Sequence, residues 1–128
     1  MKPQSGAFLE KARELVVQAE TMHRVGLNDD AGRTAYLAGL HAAQAFLFEK
    51  HGRVFKKHAT VQGEFGRLVK DNTDFDLELR AFLGRSYQLK AIADYEAGPG
   101  IGVSAARAAE AITVARRFLQ TIESLIRP

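Results

Sequence analysis

Three polar residues near the end of a predicted helix are of types that could do chemistry. Lys90, Asp94 and Tyr95 lie in the segment LKAIADYEAGPGIGVS, residues 89–104. Lys90 and Asp94 are four residues apart, which places them on one helix face where they can pair as a surface salt bridge. Tyr95 points about 100° away from Asp94, so its ring can pack inward while its hydroxyl reaches out. The segment is a catalytic motif, the remnant of one, or the polar edge of a helix.

Histidine is the other residue type that could act as an acid, a base or a metal ligand. The four histidines are His23, His41, His51 and His58. No two of them have the four-residue spacing of a helical metal site, so no metal site is predicted. His51 and His58 flank the basic segment KHGRVFKKH, where His58 and Lys57 could contact an anion or simply lie in a solvated connection. His41 lies within a helix, where it could line a groove but is more often simply half-exposed.

Helical periodicity dominates the elements that must position these residues, and strand-like alternation is nearly absent. Helices are predicted over about 5–25, 28–51, 60–69, 77–96 and 105–127. The predicted N-caps are Ser5, Asn28, Thr60 and Ser104. Gly26 and Gly52 end two helices, and AGPGIG, whose proline lacks an amide donor, forms a turn. We therefore predict an all-α, up-and-down bundle of about five helices that forms a single domain over residues 1–128, ending at Pro128.

Composition limits the classes of function. The chain of 128 residues has no cysteine, and 46% of its residues are hydrophobic. Disulfides and thiolate metal sites are thereby excluded, and no cofactor is predicted, because AGPGIG lacks the Lys-Ser/Thr of a phosphate-binding loop. No apolar run approaches the roughly 20 residues of a membrane span, so a cytoplasmic protein without a membrane partner is expected. The net charge of +3 is compatible with nucleic acid as a partner.

Four segments taken in order resemble one known family. The second predicted helix contains RTAYLAGLHAAQAFLFEKHG, KKHATVQGEF and LKAIADYE follow, and the last helix contains SAARAAEAITVARRFLQTI. This order resembles the HEPN domain from about Leu15 to Ile126. Typical members have an alanine- and aromatic-rich helix, a His-x-x-Val…Phe segment, an Arg…Ala-Asp-Tyr segment and a last helix ending Ala-x-x-Phe. The resemblance implies a small helical bundle that forms a homodimer.

The resemblance also implies a chemistry from which this chain departs. Ribonuclease members of the family carry an Arg followed four to six residues later by His, and two such motifs face each other across the dimer. Here Lys90 stands at the position resembling the Arg, and Tyr95 at the position resembling the His. Lysine lacks the forked donors of arginine, and tyrosine, with a reference pKa near 10, is a poor general base at pH 7. The catalytic residues stay unassigned, and KAIADY is interpreted as a non-catalytic variant of the motif.

Three hypotheses about function follow. The first is a non-catalytic module of a toxin–antitoxin or nucleotidyltransferase-associated system, which binds RNA, a nucleotide or a nucleotidyltransferase partner at Lys90, Asp94, Tyr95, His58 and Lys57. The second is a weak, metal-independent ribonuclease toxin that uses Lys90 with Tyr95 or with a histidine from another helix. The third is a structural partner that buries an apolar face against another protein. The position of the histidines relative to Lys90 discriminates between the first two.

Overall fold

The computed structural model describes residues 1–127. Pro128, the last residue of the predicted domain, lies outside the described residues. Five helices account for most of these residues, and no strand occurs among them. The helices are α1 (Pro3–Arg24), α2 (Asn28–His51), α3 (His58–Val69), α4 (Leu77–Tyr95) and α5 (Ala105–Ile126). The prediction of an all-α bundle of about five helices is confirmed.

The second helix forms the centre of the bundle. α2 contacts each of the other four helices, and most of its residues are buried. Its alanines and glycines allow this close approach. At Gly39 a Cβ atom would lie 2.3 Å from Cε2 of Phe82 on α4, so only a hydrogen fits there. Because α2 touches both α3 and α4, it fixes how the residues of those two helices meet.

A cluster of aromatic rings packs α2, α3 and α5 together. Phe65 of α3 contacts Phe46 of α2, Phe118 of α5 and Phe75, with ring centroids 5.1 to 5.7 Å apart. Phe75 is fully buried although it belongs to the connection between α3 and α4. Burial of such a ring contributes on the order of 2 kcal/mol. The buried Phe75 ring therefore anchors the connection between α3 and α4 to the core.

The helix starts differ from the predicted N-caps at three of four positions. Ser5 is not a cap, because α1 begins at Pro3 and Ser5 is fully buried inside the helix. Asn28 is likewise the first helical residue of α2, after Leu27. Thr60 is not the cap of α3, because the helix already begins at His58. Ser104 is confirmed as the cap of α5: its Oγ accepts a hydrogen bond from the Arg107 amide at 3.1 Å.

The turn between α4 and α5 folds back onto the start of α2. Gly98, Gly100 and Gly102 all have positive φ angles, which suit glycine. The Val103 amide donates to Oδ1 of Asp29 at 2.7 Å, and this bond ties the turn to the first turn of α2. The carboxyl end of α4, which carries Lys90, is thereby held against α2. Within residues 1–127, no helix is both long and apolar enough to cross a membrane.

Candidate functional site

A three-residue ion network lies at the carboxyl end of α4. Nζ of Lys90 is 2.9 Å from Oδ2 of Asp94, as their spacing predicts, and Nε of Arg33 on α2 is 2.9 Å from Oδ1 of the same carboxylate. The hydrogen bond with Lys90 lowers the pKa of Asp94, and the same bond raises the pKa of Lys90. Both groups are therefore charged at neutral pH, and one anion is shared between two cations. Sequence reasoning missed Arg33, because no local spacing links it to Asp94.

The Lys90 ammonium lies between two tyrosine rings. Its Nζ is 4.9 Å from the centroid of the Tyr95 ring and 6.0 Å from that of the Tyr87 ring, and it donates a hydrogen bond of 3.4 Å to the Tyr95 hydroxyl. These distances allow cation–π attraction. The prediction that the Tyr95 ring packs inward is wrong: the residue is 75% exposed, because α4 ends there and no neighbouring helix covers it. Tyr87 is exposed as well, at 36%.

His58 reaches this part of the molecule from the first turn of α3. The ring of His58 is 6.0 Å from the ring of Tyr87, and Nζ of Lys90 is also 6.0 Å from that ring. His58 and the Lys90 ammonium therefore lie no further apart than twice this distance. We use the term Lys90 face for Tyr87, Lys90, Asp94 and Tyr95 of α4, together with Arg33 and His58.

His58 contacts a buried tyrosine, Tyr36, inside the bundle. Its Nδ1 is 2.8 Å from the hydroxyl of Tyr36, a fully buried residue of α2, and the two rings stack at 5.5 Å. The Gln62 side-chain amide donates to the same hydroxyl at 3.1 Å. Burial, and then the charge of Lys90, lower the pKa of His58 below its ordinary value of 6.5. His58 is therefore neutral at pH 7, and the positive charge on this face comes from Lys90 and Arg33.

Two other residues singled out in the sequence lie apart from these contacts. Lys57 is exposed at the residue before α3, and its backbone carbonyl accepts from the Val61 amide. It extends the basic character around His58 without a side-chain contact to the Lys90 face among the described residues. His41 is half-buried, as predicted, and stacks on Phe8 of α1 at 6.1 Å. Burial lowers its pKa, so His41 is a neutral packing residue.

A separate groove of about 340 Å³ lies between α4 and α5. Its lining includes the apolar residues Phe82, Leu89 and Val114 and the basic residues Arg85 and Arg107. None of the residues of the Lys90 face lines this groove. The rings of Tyr87 and Tyr95 on the Lys90 face are exposed, whereas the side chain of Lys90 itself is only 13% exposed. Among residues 1–127, no group of three or more His, Asp or Glu side chains is arranged to hold a metal ion.

The protein is an all-α bundle of five helices, and its fourth helix carries the segment KAIADY. Comparison with known proteins identifies the family. The model of the HEPN domain matches residues 5–125. The chain therefore belongs to the HEPN family. Among solved structures, TT1696 from Thermus thermophilus is similar with a TM-score of 0.74 and 21% sequence identity, over 96% of this chain and 98% of that one. At this identity the likeness shows the fold alone. A search of curated proteins found no match.

Proposed function

We propose that this HEPN protein is a non-catalytic module that binds single-stranded RNA on the Lys90 face. The observation that carries the proposal is the position of the Lys90 ammonium between the rings of Tyr87 and Tyr95. An ammonium group attracts phosphate, and an exposed aromatic ring offers a surface on which a base stacks. Cations interleaved with aromatic rings are what sequence-tolerant binders of single strands use.

The charges of the face support an anionic ligand of moderate affinity. Lys90 and Arg33 contribute two positive charges, and Asp94 neutralises one of them. Neutral His58 adds a hydrogen-bonding group, and the exposed Lys57 adds a further charge nearby. Single strands suit this face better than duplexes, because only unpaired bases can leave the stack and lie on tyrosine.

The chemistry of the face argues against cleavage of the bound strand. Metal-free cleavage needs a base for the 2′-hydroxyl and a positive charge for the phosphate. The tyrosine hydroxyl that replaces the family's histidine is a poor base at pH 7. His58 is neutral, yet its Nδ1 is engaged by Tyr36. General base catalysis supplies roughly 10²–10⁴-fold, and we expect no group on this face to supply that factor.

The family resemblance also supports a proposal about the setting in the cell. We propose a homodimer in which the α4 helices of two copies face each other, and a nucleotidyltransferase as partner in a toxin–antitoxin type of module. We further propose that residues 1–128 act as a single domain in the cytoplasm.

Substitution of Tyr95 tests the stacking part of the proposal. A fluorescent single-stranded RNA is titrated with the wild type, with Tyr95→Ala and with Tyr95→Phe, and the fluorescence anisotropy is recorded. Loss of a stacked ring costs roughly 1–3 kcal/mol per base, so we expect Tyr95→Ala to weaken binding by about 5- to 150-fold. Tyr95→Phe keeps the ring and should bind within about twofold of the wild type. Equal affinity in all three proteins would contradict stacking on Tyr95.

One observation favours a second candidate, a weak ribonuclease. His58 lies on the same face as Lys90, as a recruited base would. Under this candidate the wild type shortens a labelled RNA, and both Lys90→Ala and His58→Ala abolish the cleavage. Under our proposal the wild type leaves the RNA as intact as a sample without protein does.

A further inference from the structure

The hydroxyl of Tyr36 sits between two hydrogen-bonding partners inside the bundle. One is the Gln62 amide group, which donates to it at 3.1 Å, and the other is Nδ1 of His58 at 2.8 Å. Burial raises the pKa of Tyr36, so its hydroxyl keeps its proton at neutral pH. Tyr36 is fully buried, and a buried hydroxyl is stable only when its proton has an acceptor.

The direction of these two bonds follows from the atoms involved. The Gln62 amide nitrogen can only donate, so the Tyr36 oxygen accepts from it. The remaining direction for the Tyr36 proton is toward His58. A neutral imidazole has one nitrogen with a proton and one without, and the nitrogen that accepts is the one without. If Nδ1 accepts from Tyr36, the imidazole proton is on Nε2.

We propose that Tyr36 is a positioning residue that fixes His58 as a neutral imidazole with its proton on Nε2. Nε2 has no hydrogen-bond partner among residues 1–127, and it is not one of their fully buried unpaired atoms. The groups in contact with the ring from the neighbouring helices are Tyr36 of α2 and Tyr87 of α4, and the Lys90 charge also acts on it. His58 therefore presents a hydrogen-bond donor, and no lone pair, on the Lys90 face.

This orientation specifies which atom of a ligand His58 would meet. A donor next to an ammonium group suits a hydrogen-bond acceptor, which in RNA is a phosphate oxygen or a base carbonyl. This part of the inference rests on the proposed function. It also gives a structural reason why His58 is a poor base in spite of its position. The nitrogen without a partner in the protein already carries a proton, and the nitrogen that could take one is bound to Tyr36.

Nuclear magnetic resonance of the free protein tests the positioning role without RNA. Nitrogen chemical shifts report which imidazole nitrogen carries the proton, and a pH titration reports the pKa of His58. In the wild type we expect one neutral tautomer with its proton on Nε2. In Tyr36→Phe the ring contacts remain while the hydroxyl is removed. Because a donated hydrogen bond favours the neutral imidazole, its loss should raise the pKa of His58 by about 0.5–1 unit.

Tyr87→Phe is the matched control, because it removes a hydroxyl from the other tyrosine ring against His58. It should leave the pKa of His58 within about 0.2 units of the wild type. A proton on Nδ1 in the wild type overturns the proposal, and so does a pKa that falls or stays unchanged in Tyr36→Phe. The wild-type tautomer decides the question even if Tyr36→Phe does not fold.

Addition of single-stranded RNA separates the two proposals. A change in the Nε2 proton resonance of His58 supports the donor role toward the ligand. An unchanged resonance, with the predicted tautomer in the free protein, leaves the positioning by Tyr36 intact and overturns the ligand assignment.

Discussion

Replacement of Gly39 by alanine should destabilise the bundle, although alanine is the better helix former. The new Cβ atom would lie 2.3 Å from Cε2 and 3.0 Å from Cδ2 of Phe82. Normal contact between carbon atoms needs about 3.5 Å, so the Phe82 ring or the helices must move by roughly 1 Å. That ring is buried and packs against Phe118 at 5.3 Å, which leaves it little room.

The size of the effect combines two opposing terms. Overpacking of a core costs about 1–3 kcal/mol, and exchange of glycine for alanine within a helix returns about 1 kcal/mol. We expect Gly39→Ala to lose up to about 2 kcal/mol of unfolding free energy. Gly84→Ala is the matched control: Gly84 lies on the exposed side of α4, and a Cβ there meets no atom within 4 Å. This variant should gain about 0.5–1 kcal/mol.

Urea denaturation followed by circular dichroism measures both variants. We expect the transition midpoint to fall for Gly39→Ala and to rise for Gly84→Ala, with the slope of the transition unchanged. If Gly39→Ala is as stable as Gly84→Ala, then α2 and α4 are not packed as closely as described, and the position of the Lys90 face would need revision.

Four further predictions address electrostatics, activity and assembly. Asp76 caps α4 by accepting a hydrogen bond from the Leu79 amide, and this bond, followed by that with Arg117, lowers the pKa of Asp76 below its ordinary value of 3.8. The stabilisation by the charged Asp76 is present above pH 3.8 and is lost as the pH falls through the lowered pKa. Thermal melts of Asp76→Ala should therefore show a lower melting temperature than the wild type at pH 7 and the same melting temperature in acid. The slope of log affinity for single-stranded RNA against log salt should become shallower by about 0.7 in Lys90→Ala, and an unchanged slope would mean that Lys90 meets no phosphate. Electrophoresis of labelled RNA should show no cleavage by the wild type, whereas Lys90→Arg combined with Tyr95→His rebuilds the family motif and should cleave weakly. Light scattering should give twice the monomer mass, and a monomer at micromolar concentration would contradict the proposed dimer.

The helical pattern predicts most of the fold, because burial on one side of each helix leaves a periodic signal in the sequence. In α5 the buried residues include Ala108, Ala111, Ile112, Ala115, Phe118, Leu119, Ile122 and Ile126, which recur at helical spacing. The helix starts are harder to predict from sequence, because a residue such as Ser5 or Thr60 can cap a helix or lie inside it. At α1 the helix extends past Ser5 to Pro3, which is well suited to the first turn.

Contacts between distant helices could be predicted only in part. The pairing of Lys90 with Asp94 follows from local spacing, and the structure shows it. The contribution of Arg33 and the anchoring of His58 by Tyr36 join α2 to α4 and α3. Such contacts depend on how the helices pack, so no local pattern marks them. The exposure of Tyr95 was not predicted, because it depends on where the neighbouring helices end, which its own helix does not specify.

Binding of intact single-stranded RNA to the Lys90 face can be tested by one titration. Labelled single-stranded RNA is mixed with the wild type, with Lys90→Ala and with Lys70→Ala, its anisotropy is recorded, and the same samples are then run on a denaturing gel. Lys70→Ala removes the same charge at an exposed residue after α3, roughly 18 Å along that helix from His58. We predict saturable binding of intact RNA by the wild type and by Lys70→Ala, and binding at least about fivefold weaker by Lys90→Ala, as loss of about 1 kcal/mol requires. Equal weakening in both lysine variants, no binding by the wild type, or RNA shortened by the wild type but not by Lys90→Ala would contradict non-catalytic binding at this face.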